Sequence, residues 1–462
     1  MKEPRMRIAT TLILPLALSA CALAPPAKVD APTPAQWNTP PAHNGSLTDL
    51  SQWWRQQGDP LLVQLVEAAQ TASPTIATAG SRIAQSRAQR AAAGAALLPS
   101  LDASVGVTRA NQQSTLPGGT TSQAALQSGW EIDLFGGRRA DRDAAQARLA
   151  GATAGWHEAR VAVAAEVASL YYSLRSCEQL LDVAKQDAQS RADTARLTQL
   201  TAEAGFQSPS TAALARASAA DGNSRYIFQK ALCDIDVKNL VAMTALEESD
   251  LRARLAGSAL VPAPAIAVSA VPAQLLAQRP DVFAAEREVA AASAEVGSAR
   301  ADRFPRLSLS GSVGVANFRS GGDNIQTDTW TIGPLALSLP IFDAGRRSAN
   351  VEAAKARYDA AVINYRASAR RAVSEVEQAL VNLNSSTARS SDAQVSMEGY
   401  RLAFVAAEDR YKNGLGSLLE LEDARRTRLA AENAVVTLQR ERNAAWVALY
   451  RAAGGGWTPS AN

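Results

Sequence analysis

The chain has 462 residues, 47% of them hydrophobic and only 5% aromatic, and about a fifth are alanine. This composition excludes a collagen-like, disulfide-dense or intrinsically disordered chain, and 47 basic against 44 acidic residues, net +3, give no reason to expect nucleic acid as a partner. Two histidines and three cysteines leave almost no material for a metal site or a histidine-based catalytic site, so neither enzyme activity nor a cofactor is expected.

The N-terminus reads as an address. Lys2, Arg5 and Arg7 form a basic start, Ile8 to Leu18 is a short apolar run, and Leu18-Ser19-Ala20 precedes Cys21. Eleven residues at 1.5 Å each cannot cross a ~30 Å hydrocarbon core, so the run is a secretory signal rather than a span. A cysteine at the cleavage point resembles the bacterial lipobox, which implies a mature chain lipidated at Cys21, with Ala22 resembling the pattern sorted to the outer membrane. Two or three acyl chains hold a protein stably where one binds only marginally. The alternative is a soluble periplasmic protein in which Cys21 is a coincidence. Removing residues 1–20 takes away three basic residues and Glu3, leaving a net charge near +1 (3 − 3 + 1).

Pro25, Pro26, Pro32, Pro34, Pro40 and Pro41 favour an extended tether. Beyond it the chain repeats itself. Pro74 to Pro99 and Pro280 to Pro305 each span 25 positions of alanine-rich, helix-forming sequence. Each second proline is followed by an alternating stretch, Leu101 to Val107 and Leu307 to Val313. A Gly/Ser/Thr-rich gap comes next, at Pro117-Gly118-Gly119 and Ser320-Gly321-Gly322. Second alternating stretches carry Leu126, Trp130, Ile132 and Leu134 in one copy and Trp330, Ile332, Leu335, Leu337, Leu339 and Ile341 in the other. Both break at Gly-Arg-Arg, residues 137–139 and 345–347. Offsets of 206 residues join the prolines and first alternating stretches, and one of 208 the Gly-Arg-Arg breaks.

Strands with one apolar and one polar face suit a barrel wall between lipid and water, with Trp130, Phe135, Phe318, Trp330 and Phe342 expected near strand ends. Two ordinary hairpins on a soluble core would show the same alternation. No later window offers the ~20 apolar residues of a membrane-spanning helix. Four strands cannot close a barrel whose smallest known form has eight, so a membrane reading demands oligomers.

A long helical pattern then runs from Arg138 to Ala204, about 100 Å at 1.5 Å per residue. It breaks at Gly205-Phe206-Gln207-Ser208-Pro209 and resumes to roughly Leu255. The second copy breaks at Asn413-Gly414-Leu415-Gly416-Ser417 and resumes to roughly Ala453. A glycine followed by a short polar stretch stops a helix and lets the chain reverse, so each copy reads as a strand hairpin plus a helical hairpin. Cys177 and Cys233 each lie 28 residues from Gly205, which places them at one level of an antiparallel hairpin. In an oxidising compartment they could bond, or remain two small buried thiols. No phosphate-binding glycine loop, nucleophile elbow, zinc-protease motif or Cys-x-x-Cys occurs. His43 and His157 read as surface or packing residues.

Together the lipobox, the duplicated unit, Arg279-Pro280-Asp281-Val282 through Phe304-Pro305, Phe342-Asp343-Ala344-Gly345-Arg346-Arg347 and Arg410-Tyr411-Lys412-Asn413-Gly414 resemble the TolC/OprM outer-membrane efflux family over about residues 45–456. The lipidated form resembles its NodT-type lipoproteins. The resemblance implies a mostly α chain with a transmembrane β-barrel. In that architecture a homotrimer closes a 12-stranded barrel, four strands per chain, in outer-membrane lipid and continues into a long periplasmic α-helical barrel, a coiled-coil tunnel. It implies docking onto a periplasmic adaptor (membrane fusion) protein that joins the channel to an inner-membrane transporter of the resistance-nodulation-division (RND) type. The chain would be a passive exit duct for small molecules. The turns Ala204-Gly205-Phe206 and Asn413-Gly414-Leu415 resemble adaptor-docking tips. Within Leu418 to Arg426 the match assigns Leu419 to an apolar constriction, Asp423 to an acidic ring and Arg426 to its interprotomer partner, a periplasmic gate. The same stretch also reads as an amphipathic helix start whose acids favour the positive end of the helix dipole. The first tip departs from the family, with Pro209-Ser210-Thr211 where a Leu-Asp pair is usual.

The expected division is a lipoprotein signal peptide (1–20), a lipid-anchored tether (21–60), a first efflux repeat (61–256), a proline-rich linker (257–272), a second repeat (273–456) and a short tail (457–462). The sequence also accommodates two rival readings: the outer-membrane conduit of a type I protein secretion system, and a lipid-anchored coiled-coil scaffold without a channel.

Overall fold

The computed structural model describes residues 29–38, 53–56, 58–111, 118–258 and 275–458. Cys21, the signal sequence and most of the tether and linker lie outside them. In chain order the elements are α1 (Trp53–Gln56), α2 (Pro60–Ala72), α3 (Pro74–Ala95), β1 (Ser100–Ala110), β2 (Gly119–Ile132), α4 (Gly137–Glu203), α5 (Pro209–Thr244), α6 (Glu248–Ala256), α7 (Pro280–Ala301), β3 (Arg306–Ser320), β4 (Asp323–Ser338), α8 (Arg346–Lys412) and α9 (Leu418–Ala452). The helix expected from Pro209 to about Leu255 is two helices. Ala245 takes a left-handed conformation (φ 54°) that ends α5, and α6 follows after a short gap. Among the described residues no helix is long and apolar enough to cross a membrane.

The chain forms two compact units, Met1–Ala31 with Gly80–Thr153 and Phe283–Ala367, and Pro32–Ala79 with Ala154–Val282 and Ser368–Asn462. In the first, the two predicted hairpins join into one antiparallel sheet in the order β1-β2-β3-β4. Side chains alternate across a strand, and the registers align the apolar positions of all four. Leu101, Val105 and Val107, Leu126 and Trp130, Val313 and Val315, and Trp330, Ile332, Leu335 and Leu337 occupy one face. All are exposed in the single chain. The opposite face carries Asp102, Ser104, Gln123, Gln127, Ser312 and Thr331, with hydrogen bonds from Gln127 to Ser104 (3.4 Å) and between Ser312 and Thr331 (2.9 Å). β4 keeps its apolar residues on one face only because an extra residue bulges between the Gly311–Ile332 and Leu309–Leu335 pairs, at Gly333-Pro334. Without that insertion Leu335 and Leu337 would turn to the polar side.

One aromatic expectation changes and another is refined. Trp330 sits midway along β4 opposite Val313, and Phe318 lies on the polar face between Thr121 and Ile325. β4 extends further toward the hairpin loop than the alternating motif indicated, which moves Trp330 inward from the end, whereas Phe318 stays near the end of β3 but on the polar face. Phe135 lies beyond β2 and stacks on Phe304 at 4.9 Å.

The Gly-Arg-Arg breaks are acid-capped helix starts. Asp133 accepts hydrogen bonds from the backbone N–H groups of Arg138 (3.3 Å) and Arg139 (3.0 Å), and Asp343 from those of Gly345 and Arg347 (3.1 Å each). A carboxylate satisfies free N–H groups and favours the helix dipole.

In the second unit an apolar core gathers Leu62 and Leu65, Val167, Tyr171 and Leu174, Leu240, Leu251, Leu380, Trp446 and Leu449. Asp59 caps α2, accepting from the N–H groups of Leu61 and Leu62 (3.1 Å each), and takes the Tyr171 hydroxyl at 2.7 Å. Burial, with this bond, pushes the Tyr171 hydroxyl up to about 12. The alanine excess is used here: Ala154, Ala164, Ala168, Ala215, Ala372 and Ala379 are all buried at helix surfaces, where a small side chain lets backbones approach closely. Cys177 on α4 and Cys233 on α5 form a disulfide with a Cα–Cα distance of 5.5 Å.

Candidate functional site: the tips of the two helical hairpins

Both hairpins turn by the same chemistry. Gly205 (φ 82°) follows α4, and its N–H reaches Ala202 O at 3.0 Å while the Phe206 N–H reaches Thr201 O at 2.9 Å. Gly414 (φ 73°) follows α8, with its N–H on Tyr411 O at 3.1 Å and the Leu415 N–H on Arg410 O at 2.8 Å. This paired closure needs a left-handed residue, which glycine adopts without penalty. Each turn then enters the next helix through a serine cap. Ser208 accepts from the N–H of Thr211 at 3.2 Å and Ser417 from that of Glu420 at 3.2 Å. Ala204 and Asn413 precede the two glycines, and Asn413 donates its side-chain amide to Asp409 O at 2.8 Å. The residue after each glycine often packs back on its helix, yet Phe206 and Leu415 are 84% and 79% exposed.

Beyond the turns the hairpins differ. At the first tip the Ser208 hydroxyl bonds those of Ser210 (2.7 Å) and Thr211 (2.8 Å). At the second, Glu420 returns its carboxylate to the Ser417 N–H at 3.3 Å, completing a reciprocal cap. Leu419, Asp423 and Arg426 follow at helical spacing on the exposed face of α9, Leu419 at 74% exposure. Within the single chain Arg426 is ion-paired with Asp423. The opposite face of α9 is buried. Leu418 and Leu421 pack with Ala195 of α4, Ala215 of α5 and Phe404 of α8, so one small cluster draws on all four long helices.

One turn further sits a charged cluster that sequence reasoning missed. Arg425 is completely buried. It pairs with Glu422 and donates to Ser190 Oγ at 3.1 Å and Thr194 Oγ1 at 3.0 Å, both on α4. Asp187 of α4, also buried, accepts from Arg191 Nε at 2.9 Å and from Arg225 of α5 at 3.4 Å. Arg191 binds Ser218 of α5 at 2.5 Å and pairs with Glu422 of α9. Phe404 of α8 lies under two guanidiniums, Arg425 at 5.6 Å and Arg428 at 4.2 Å from the ring centre. Burial pushes the Arg425 guanidinium below its ordinary value, while Glu422 and Asp187 oppose that shift. Three buried charges, Asp187, Arg191 and Arg425, with the partly buried Glu422, cost desolvation that their pairing roughly offsets, so their value lies in fixing one arrangement of the hairpins, while removing one partner strands the others. Tyr411, just before the second turn, completes the crosslinks with a 2.6 Å bond to Thr198.

The sequence signal for this cluster was Arg425 itself, in phase with Leu418 and Leu421 on an otherwise apolar face. Nothing local announced Asp187 and Arg191, more than 230 positions away. Among the described residues no group of three or more His, Cys, Asp or Glu side chains could hold a metal ion.

Comparison with known proteins follows the same lines. The family described as outer membrane efflux protein matches residues 65–246 and 271–455. The pyoverdine export outer membrane protein OpmQ of Pseudomonas putida is 32% identical, covering 96% of this chain and 97% of its own length. The solvent efflux pump outer membrane protein SrpC of the same species is 30% identical, covering 97% and 98%. The solved outer-membrane channel OprN superposes with a TM-score of 0.84 at 28% identity, over 94% of this chain and all of that one. The chain belongs to the outer membrane efflux protein family.

Proposed function

We propose that three copies of this chain form the exit duct of a tripartite pump, passing small molecules across the outer membrane. Energy would come from an inner-membrane RND-type transporter reached through a periplasmic adaptor. Three four-stranded sheets give 3 × 4 = 12 strands, and β1 and β4, the free edges of each sheet, pair between neighbours. Unpaired strand edges are intolerable in lipid, so closure and trimerisation are one event. The carrying observation is the sheet's two-faced register, with exposed apolar residues on one side and hydroxyls and amides on the other. The apolar run of β3, Leu307 to Val315, spans about 27 Å along the strand before any tilt, against the roughly 25 Å band of an outer-membrane barrel.

In this reading the helical hairpins line a periplasmic tunnel. Ala204, Gly205 and Phe206, with Asn413, Gly414 and Leu415, meet the adaptor, and their two bare hydrophobic side chains supply the contact. Leu419, Asp423 and Arg426 narrow the bore. A leucine ring closes by dewetting and a carboxylate ring selects for cations. Arg426 then exchanges its Asp423 within the chain for that of a neighbour. Cys21 carries the lipid anchor, and the chain divides into signal (1–20), tether (21–60), repeats 61–256 and 273–456 around the linker 257–272, and tail (457–462).

Outer-membrane fractions and planar bilayers test this. A heat-modifiable band at three times the chain mass, and discrete conductance steps from the purified protein, are expected. A detergent-extracted protein that runs only as a monomer and is silent in bilayers would sink it in favour of a lipid-anchored scaffold.

A further inference from the structure

The sheet's apolar face ends in two cations. On β1 it runs Leu101, Ala103, Val105, Val107 and then Arg109, and on β3 it runs Leu307, Leu309, Val313, Val315, Asn317 and then Arg319. Arg109 pairs with Thr120 and Thr120 with Arg319, so the arginines share one row across three strands, roughly 10 Å apart at the backbone for a strand spacing of about 4.8 Å. Both are exposed, and among the described residues neither makes an ion pair or hydrogen bond. They line an open cleft of about 440 Å³ with Thr120, Ser320, Asp323 and Asn324. Asp323 is its one acid, so the cleft carries a formal charge of +1 (two arginines less one aspartate).

Their depth is informative. Arg109 lies two residues past Val107, about 7 Å, and Arg319 four past Val315, about 13 Å. They stand just beyond the apolar band, at the hairpin-loop end of the sheet. We propose that Arg109 and Arg319 bind the phosphate groups of a phosphorylated glycolipid in the outer leaflet, one site per chain. This rests on the reading that the apolar face meets lipid. Guanidiniums take phosphate oxygens two at a time, and such charge-assisted bonds strengthen where water is scarce. An arginine pair without an internal acid partner on a lipid-facing row fits an anion supplied by the membrane.

The test uses the full-length assembly purified from outer membranes. Native mass spectrometry follows titration with bisphosphorylated lipid A, with the same glycolipid stripped of its phosphates, and with inorganic phosphate, for wild type, Arg109→Ala, Arg319→Ala and the double variant. The phosphorylated lipid should bind at least ten times tighter than the stripped one. Each single substitution should cost roughly tenfold, and the double variant should bind both lipids alike. Equal binding of the two lipids by wild type, or a double variant that binds like wild type, overturns the proposal. Inorganic phosphate binding as tightly as the glycolipid overturns it too, reducing the cleft to a simple anion site. Bilayer conductance measured in parallel separates the two readings: a wild type that conducts but fails the lipid test loses only this inference, whereas one that neither inserts nor conducts loses the barrel as well.

Discussion

The two hairpin tips share one turn and divide everything else. Gly205 and Gly414 close their helices with matching bonds, and Ser208 and Ser417 open the next helices with matching caps. The first hairpin is braced from within by the Cys177–Cys233 disulfide and holds the buried Asp187–Arg191 pair. The second has no cysteine, presents Leu419, Asp423 and Arg426 to solvent, and reaches back to the first through Arg425 and Glu422. Duplication thus preserved the turn, where backbone geometry leaves little choice, and let the faces diverge.

The largest effect is expected at Asp187, which joins the two hairpins. Asp187→Ala leaves Arg191 and Arg425 without their shared carboxylate in a buried site, an expected loss of about 3–5 kcal/mol. Limited proteolysis should cut near both turns, because the cluster ties the hairpins together. Cutting confined to the first would mean that the second does not depend on it. Next in size is the brace: Cys177→Ala should cost about 2–4 kcal/mol and lower the apparent melting temperature, while leaving cleavage at Asn413–Gly416 near the wild-type rate. Gly205→Ala and Gly414→Ala sharpen the claim of a shared turn, since each forces a Cβ into the left-handed region at a cost of about 1–2 kcal/mol. Melting temperatures should fall by similar amounts in the two variants, and a loss at only one tip would contradict the equivalence.

The smallest effect is a control away from both tips. Burial raises the Glu158 carboxyl, helped by Asp281 and opposed by Arg279 and Arg451. Its neutral form is therefore favoured in the fold, so wild-type stability from this group is fully present below the usual carboxylate range and is lost as pH rises through the raised value. Glu158→Gln should melt slightly higher than wild type at pH 7 and alike at pH 4. A Gln variant that melts lower at pH 7 would refute this.

Much of the fold was legible because its signals are local. Prolines at 74, 99, 280 and 305 bound the short helices, alternation marked four strands, and glycine-serine turns marked both hairpin tips. The β4 bulge was hidden, since Leu335 and Leu337 look out of phase with Ile332 until the pairing to β3 is known. The break at Ala245 was hidden for another reason: an alanine in a left-handed conformation carries no sequence mark. At the tips, the exposed Leu419, Asp423 and Arg426 were readable from spacing and family resemblance. Their buried counterpart was not, because its partners come from α4 and α9, far apart in sequence, and a buried arginine is spelled like an exposed one.

If the second tip narrows the duct with charge, single-channel conductance reads that constriction at once. Wild type and the Asp423→Ala, Arg426→Ala double variant should insert equally into planar bilayers, with the double variant conducting several times more current per step as the ring at the tip widens. Equal conductance of the two proteins would contradict the assignment and return this stretch of α9 to an ordinary solvated helix start.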